Sequence, residues 1–166
     1  GLVVEQDMGK AKSLYKQGVA KGNSHAMAQL GRLYLMGKSV DKDYDRAYAL
    51  LKRATRYGSP HGTSLMGMMY EQGWKVGKDY NKALELYRKG AEWGNMFAEF
   101  RLGIMYLKGK GVEQDRGEAI EWLEKAAAQG LAGSLTTLAM IFQEGNGVDK
   151  DEEKAKAYYK AAGFEM

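Results

Sequence analysis

The chain has no cysteine among its 166 residues. That one absence excludes a disulfide framework, a thiolate zinc site and a cysteine nucleophile. A single proline, Pro60, is present, so almost nothing in the backbone forbids helix. No run of about 18 apolar residues occurs, which leaves no candidate for a membrane-spanning helix. Gly1 to Lys10 lack a basic start followed by an apolar stretch, so no signal peptide is visible, and an opening on Gly rather than Met points to trimming. A strong excess of one charge is missing too. Lys and Arg number 25 against 21 Asp and Glu, a net +4, and acids interleave with bases almost everywhere. Nucleic-acid binding would need positive charge gathered on one surface. Segments such as Lys10, Lys12, Lys16 and Lys52, Arg53, Arg56 therefore read as solvated helix faces. Nucleophile-elbow, phosphate-loop, His-Glu-x-x-His and dinucleotide motifs are all absent.

What is present is a repeat. Gly31, Gly67 and Gly103 are spaced by 36 residues, and Ala139 takes the next place. Tyr34, Tyr70, Tyr106 and Phe142 follow at the same interval, as do Asp7, Asp43, Asp79, Asp115 and Asp151. Ala11, Ala47, Ala83, Ala119 and Ala155 form another column, and Gly22, Gly58, Gly94 and Gly130 close each unit. Val4, Val40, Val76, Val112 and Val148 mark the loop. Gly109-Lys-Gly111 superficially suggests a phosphate loop, but it recurs as Gly145-Asn-Gly147 and is repeat punctuation.

Each unit reads as two helices. Helix A covers Ser24 to Met36 and its equivalents, with Leu30, Leu33 and Tyr34 at amphipathic spacing. Helix B opens at the Asp column, where an N-cap carboxylate accepts from an orphan N–H and meets the positive end of the helix dipole. It buries Ala47, Leu50, Leu51 and Ala54 and stops at Gly58, a natural site for a left-handed residue. Glycine inside helix A costs about 1 kcal/mol relative to alanine. Its recurrence at one position predicts a close approach to helix B, with Ala47, Ala83 and Ala119 as small partners. Residues 1–24 form a partial repeat of helix B only, followed by repeats at 25–60, 61–95, 96–131 and 132–166.

The third unit runs Leu102-Gly103-Ile-Met-Tyr106, Gly109-Lys-Gly111-Val112, Asp115, Ala119, Trp122, Lys125-Ala126-Ala127, Gly130. This pattern resembles the Sel-one-like repeat (SLR), a relative of the tetratricopeptide repeat. Ser39 and Lys75 depart from it at the second loop glycine, and Ala139 at the glycine of helix A. The resemblance implies an all-α fold, a right-handed α/α superhelical solenoid with helix A lining the concave face. It also implies a non-enzymatic scaffold or adaptor, without cofactor or metal, that binds another protein. An immunity or inhibitor protein that neutralises a secreted bacterial toxin is the alternative, and a cell-wall or β-lactam hydrolase a more remote one. Disulfide-rich β-lactam-binding relatives carry paired cysteines, which this chain lacks. A bacterial periplasm or cytoplasm fits the resemblance, and the sequence does not choose between them.

Both ends fall inside the pattern, with Gly1 in the column of Gly37 and Met166 in that of Gly130. Solenoid ends need polar covering, so Val3, Val4, Leu14 and Val19 are expected to lie under-covered and to favour self-association at the N-terminal end.

Columns that recur build the scaffold, so the variable ones should carry function. By analogy with tetratricopeptide arrays, the groove columns are those of residues 25, 28, 32, 35 and 36. They nominate Arg32, Leu35, Met68, Phe97, Phe100, Ile104, Leu107 and Met140 as contacts for a peptide or amphipathic helix, with Arg101 steering an acidic partner. His25 and His61 share a column on neighbouring repeats. Stacked helices about 8–10 Å apart hold such a pair too far apart to share one metal ion.

Overall fold

The computed structural model describes residues 2–38, 40–145 and 147–164. These form helices throughout: α1 (Leu2–Ala20), α2 (Ser24–Met36), α3 (Tyr44–Arg56), α4 (Pro60–Gln72), α5 (Tyr80–Glu92), α6 (Met96–Lys108), α7 (Arg116–Ala128), α8 (Ala132–Glu144) and α9 (Glu152–Ala161). The even-numbered helices are the A type, the odd-numbered ones the B type. They group into two compact units, residues 1–89 and 90–166.

Turn chemistry explains the helix boundaries. After helix A the chain turns through a left-handed glycine, for example Gly37 at φ 65°. It returns so that the amide of the N-cap aspartate donates to the carbonyl of the aromatic column. Asp43 N reaches Tyr34 O at 3.0 Å, and Asp151 N reaches Phe142 O at 2.9 Å. The aspartate side chain then accepts from the third amide of helix B, as Asp115 does from Glu118 N at 3.0 Å. Helix B ends in a Schellman motif. Gly58 N bonds Thr55 O at 3.1 Å, and Ser59 N bonds Ala54 O at 2.9 Å. Ser59 is at once the last residue of that motif and the N-cap of α4, accepting from Gly62 N at 3.1 Å. Asn23 and Asn95 repeat this device, whereas Leu131 caps α8 without a side-chain bond.

The notch at the helix-A glycine receives a different residue from the one expected. A Cβ on Gly103 would stand 2.7 Å from Leu123 Cγ and 3.0 Å from Ala119 O. Leu51 fills the same notch at Gly31, and the Tyr87 ring fills it at Gly67. The alanine column brings the backbones together, and the residue four further on occupies the gap. In the first unit Leu30, Leu33, Tyr34 and Leu35 of α2 join Leu51 of α3 and Leu65, Met66 and Met69 of α4 in one core. Leu50 packs on its edge, only partly buried. In the second unit Leu123, Leu138, Ile141, Phe142 and Ala155 form the core.

Two ends depart from the repeat. α1 runs unbroken through Asp7, so that residue is not an N-cap. In other repeats the N-cap amide is held by the carbonyl of a helix-A residue, as Asp43 N is by Tyr34 O and Asp151 N by Phe142 O. At the other end Gly163, at φ 89°, closes α9, with Phe164 N bonding Tyr159 O at 3.1 Å. That is one turn earlier than the glycine column predicts, and Met166 lies outside the described residues. Leu14 is 64 % exposed, as expected. Val19 packs against the first unit's clusters and is half-buried, and the side chains of Val3 and Val4 lie outside the described set.

Candidate partner-binding face

The columns nominated from sequence divide into two kinds. The column of Leu35, Glu71, Leu107 and Gln143 turns toward helix B, burying Leu35 and Glu71, half-burying Leu107 and leaving Gln143 exposed. Leu35 is 2 % exposed and shares a core with Leu51, so it cannot serve as a surface contact. Glu71 is buried and accepts from the Tyr87 hydroxyl at 2.8 Å. Leu107 packs on the cluster that contains Leu123, and Gln143 accepts from the Tyr159 hydroxyl at 3.0 Å. This side of helix A meets helix B of its own repeat, so Leu107 too belongs mainly to the scaffold. Ala28 and Ser64 are likewise buried.

The columns of residues 25, 32 and 36 remain open. In the first unit they carry exposed His25 and Met36, with half-buried Arg32, His61 and Met68. Arg32 donates its Nε to Gln29 Oε1 at 3.1 Å. Burial first, then the charges of Arg32 and His25, hold the His61 imidazolium below its ordinary range, so the ring is neutral at pH 7. No group of three or more His, Asp or Glu able to hold a metal gathers among the described residues.

The second unit is more apolar. Phe97, Phe100, Arg101 and Ile104 of α6 are half-buried, and Met140 of α8 is 52 % exposed. The Phe100 ring lies over Gly133, where a Cβ would stand 3.6 Å from its edge. Phe100 and Ile104 also pack on the core beneath. They are therefore part floor and part surface, and Phe97 and Met140 are the cleaner surface positions. Met36, which stands in one of the columns nominated from sequence, is 43 % exposed at the end of α2.

A family model described as Sel1 repeat matches residues 1–23, 24–58, 60–95, 97–131 and 134–163. No curated protein sequence matches the chain. Among solved structures, one described as a protective antigen present in uropathogenic Escherichia coli strains displaying an SLR fold is 32 % identical with a TM-score of 0.79. The match covers 92 % of this chain and 32 % of that one. A Sel1 repeat protein from Oxalobacter formigenes is 31 % identical with a TM-score of 0.83, over 95 % of this chain and 66 % of the other. An immunity protein from Pseudomonas aeruginosa is 26 % identical with a TM-score of 0.69, over 91 % and 56 %. The chain thus spans about a third of the length of the first of these and under two thirds of the second. Its fold is an all-α solenoid of repeated helix pairs.

Proposed function

The chain belongs to the Sel1 repeat family, and on that premise we propose that it is a non-enzymatic scaffold whose open helix-A columns bind an apolar peptide or amphipathic helix of another protein. Proteins of this family are generally non-enzymatic and generally bind other proteins. The observation that carries the finer reading is Met140. It is a large apolar side chain, 52 % exposed, in the same column as Ile104, on a unit where Phe97 and the Phe100 edge also reach the surface. Apolar groups gathered on one face of a soluble domain mark interaction surfaces, and methionine adapts to varied apolar guests. Among the described residues no helix is long and apolar enough to cross a membrane.

The test is site-specific photo-crosslinking in the source organism. A benzophenone side chain at position 97 or 140 gives a discrete adduct with one partner. The same group at position 57, exposed at the end of α3, gives none. Adducts from position 57 but not from 97 or 140 would move the site off this face. A narrower reading, an immunity protein that blocks a toxin, draws on the Pseudomonas aeruginosa relatives of that description. It predicts that the captured partner is a toxin whose activity the chain inhibits.

A further inference from the structure

Beside the Tyr34 ring the first unit is open at a place that its next repeat fills. Residues 12, 48, 84, 120 and 156 share a column, which holds Lys12, Tyr48, Leu84, Ile120 and Lys156. The register of α1 in that column is fixed by packing. A Cβ on Gly18 would stand 2.5 Å from Ala26, just as one on Gly62 would stand 2.6 Å from Ala54. Tyr48 packs on the core and hydrogen-bonds Tyr70, the counterpart of Tyr34. Lys52 covers its ring at 5.6 Å. With Lys12 in place of that tyrosine, a cleft of about 710 Å³ stays open.

Its charge is uneven. Lys12 and Lys16 come from α1, Lys42 from the α2–α3 loop and Arg46 from α3, against Asp41 and Asp43. Asp43 is committed to capping α3, accepting from Arg46 N at 2.9 Å, and it pairs with the Arg46 side chain at 3.2 Å.

We propose that this cleft binds an acidic, carboxylate-rich peptide segment. Charge complementarity selects the occupant. The ammonium groups arrive from separate elements, which suits carboxylates spaced along a chain better than one compact dianion. Asp41 lines the same space, where it would repel the dense charge of a phosphate but can accept from a peptide N–H. The cleft lies off the open helix-A columns, so it stands or falls separately from the function proposed above.

The probe is a fluorescein-labelled hexaglutamate peptide, read by anisotropy with the full chain and compared with a single-stranded oligonucleotide of equal charge. The wild type binds the peptide saturably, and added salt weakens the binding. Lys12→Tyr, which copies the filled repeat, weakens it by about tenfold at an unchanged melting temperature. Lys42→Gln, on the exposed loop, weakens it by about threefold and carries the test if Lys12→Tyr misfolds. Lys160→Gln on α9 changes nothing. No binding by the wild type, or equal binding by folded Lys12→Tyr and Lys42→Gln, overturns the proposal. Tighter oligonucleotide binding with the same dependence on Lys12 also overturns it, in favour of a phosphate ligand.

Discussion

In the first unit, position 71 holds a carboxylate buried against the Tyr87 hydroxyl at 2.8 Å. In the second, the equivalent position 107 holds a leucine packed on the cluster of Leu123. The backbone solution is the same and the chemistry opposite. The two partner columns change together: leucine with leucine in repeats one and three, acid or amide with tyrosine in repeats two and four. Such variation is compensated inside the repeat and therefore structural. The column of Arg32, Met68, Ile104 and Met140 differs in that its members are half-buried or, at Met140, 52 % exposed. That openness is what the proposed partner face rests on.

The largest effect expected comes from breaking one pair. Tyr87→Leu leaves buried Glu71 without its phenol donor and should cost about 2 kcal/mol of stability. Adding Glu71→Leu recreates the pairing of the third repeat. Leucine already fits the glycine notch at Leu51 and Leu123, so the double variant should return to within about 1 kcal/mol of wild type. Denaturant unfolding of the two singles and the double checks this, and additive losses would show that the columns are not coupled.

A smaller effect separates the caps. Asn23, Ser59 and Asn95 accept from the helix they start, and Leu131 does not. Leu131→Asn should stabilise by about 1 kcal/mol, measurable as a rise in denaturation midpoint. The same substitution made at position 132, one residue into α8, should give no gain.

Smaller again is the loop difference. Lys75 is held at φ 67° where Gly111 has 71° and Gly147 has 85°. Side chains disfavour that backbone region. Lys75→Gly loses the exposed ion pair to Asp45 but should still raise the melting temperature by about 2 °C. Calorimetry decides the sign.

The smallest effect is a slope in pH. Burial, then the bond to Glu124, pushes the Tyr158 hydroxyl up to about 12. A phenol raised in the folded state contributes stability that is complete below its unfolded value near pH 10. That contribution is lost as pH rises through the folded value. Tyr158→Phe should flatten the fall in stability across this window, and an unchanged slope would assign the fall to other groups.

Much of this was legible in the sequence, because local chemistry writes directly onto the backbone. The bounds of α2, the aspartate caps and the left-handed glycines each follow from one residue type at one position. What was not legible depends on which way a helix face turns. Leu35 and Leu107 look like groove residues by spacing. The opposing helix B claims them, a fact visible only once Leu51 and Leu123 are seen to fill the glycine notches. The run of α1 through Asp7 was missed for a similar reason. An aspartate caps a helix only where the chain is turned there, and the bond that makes the turn comes from another helix.

The most direct test of the central claim is affinity capture from the source organism with wild type, Phe97→Glu and Met140→Glu, each first shown to melt as wild type does. A protein retained by wild type and lost from both folded variants is the result predicted. Equal retention by all three would contradict the claim that the open helix-A columns carry the function.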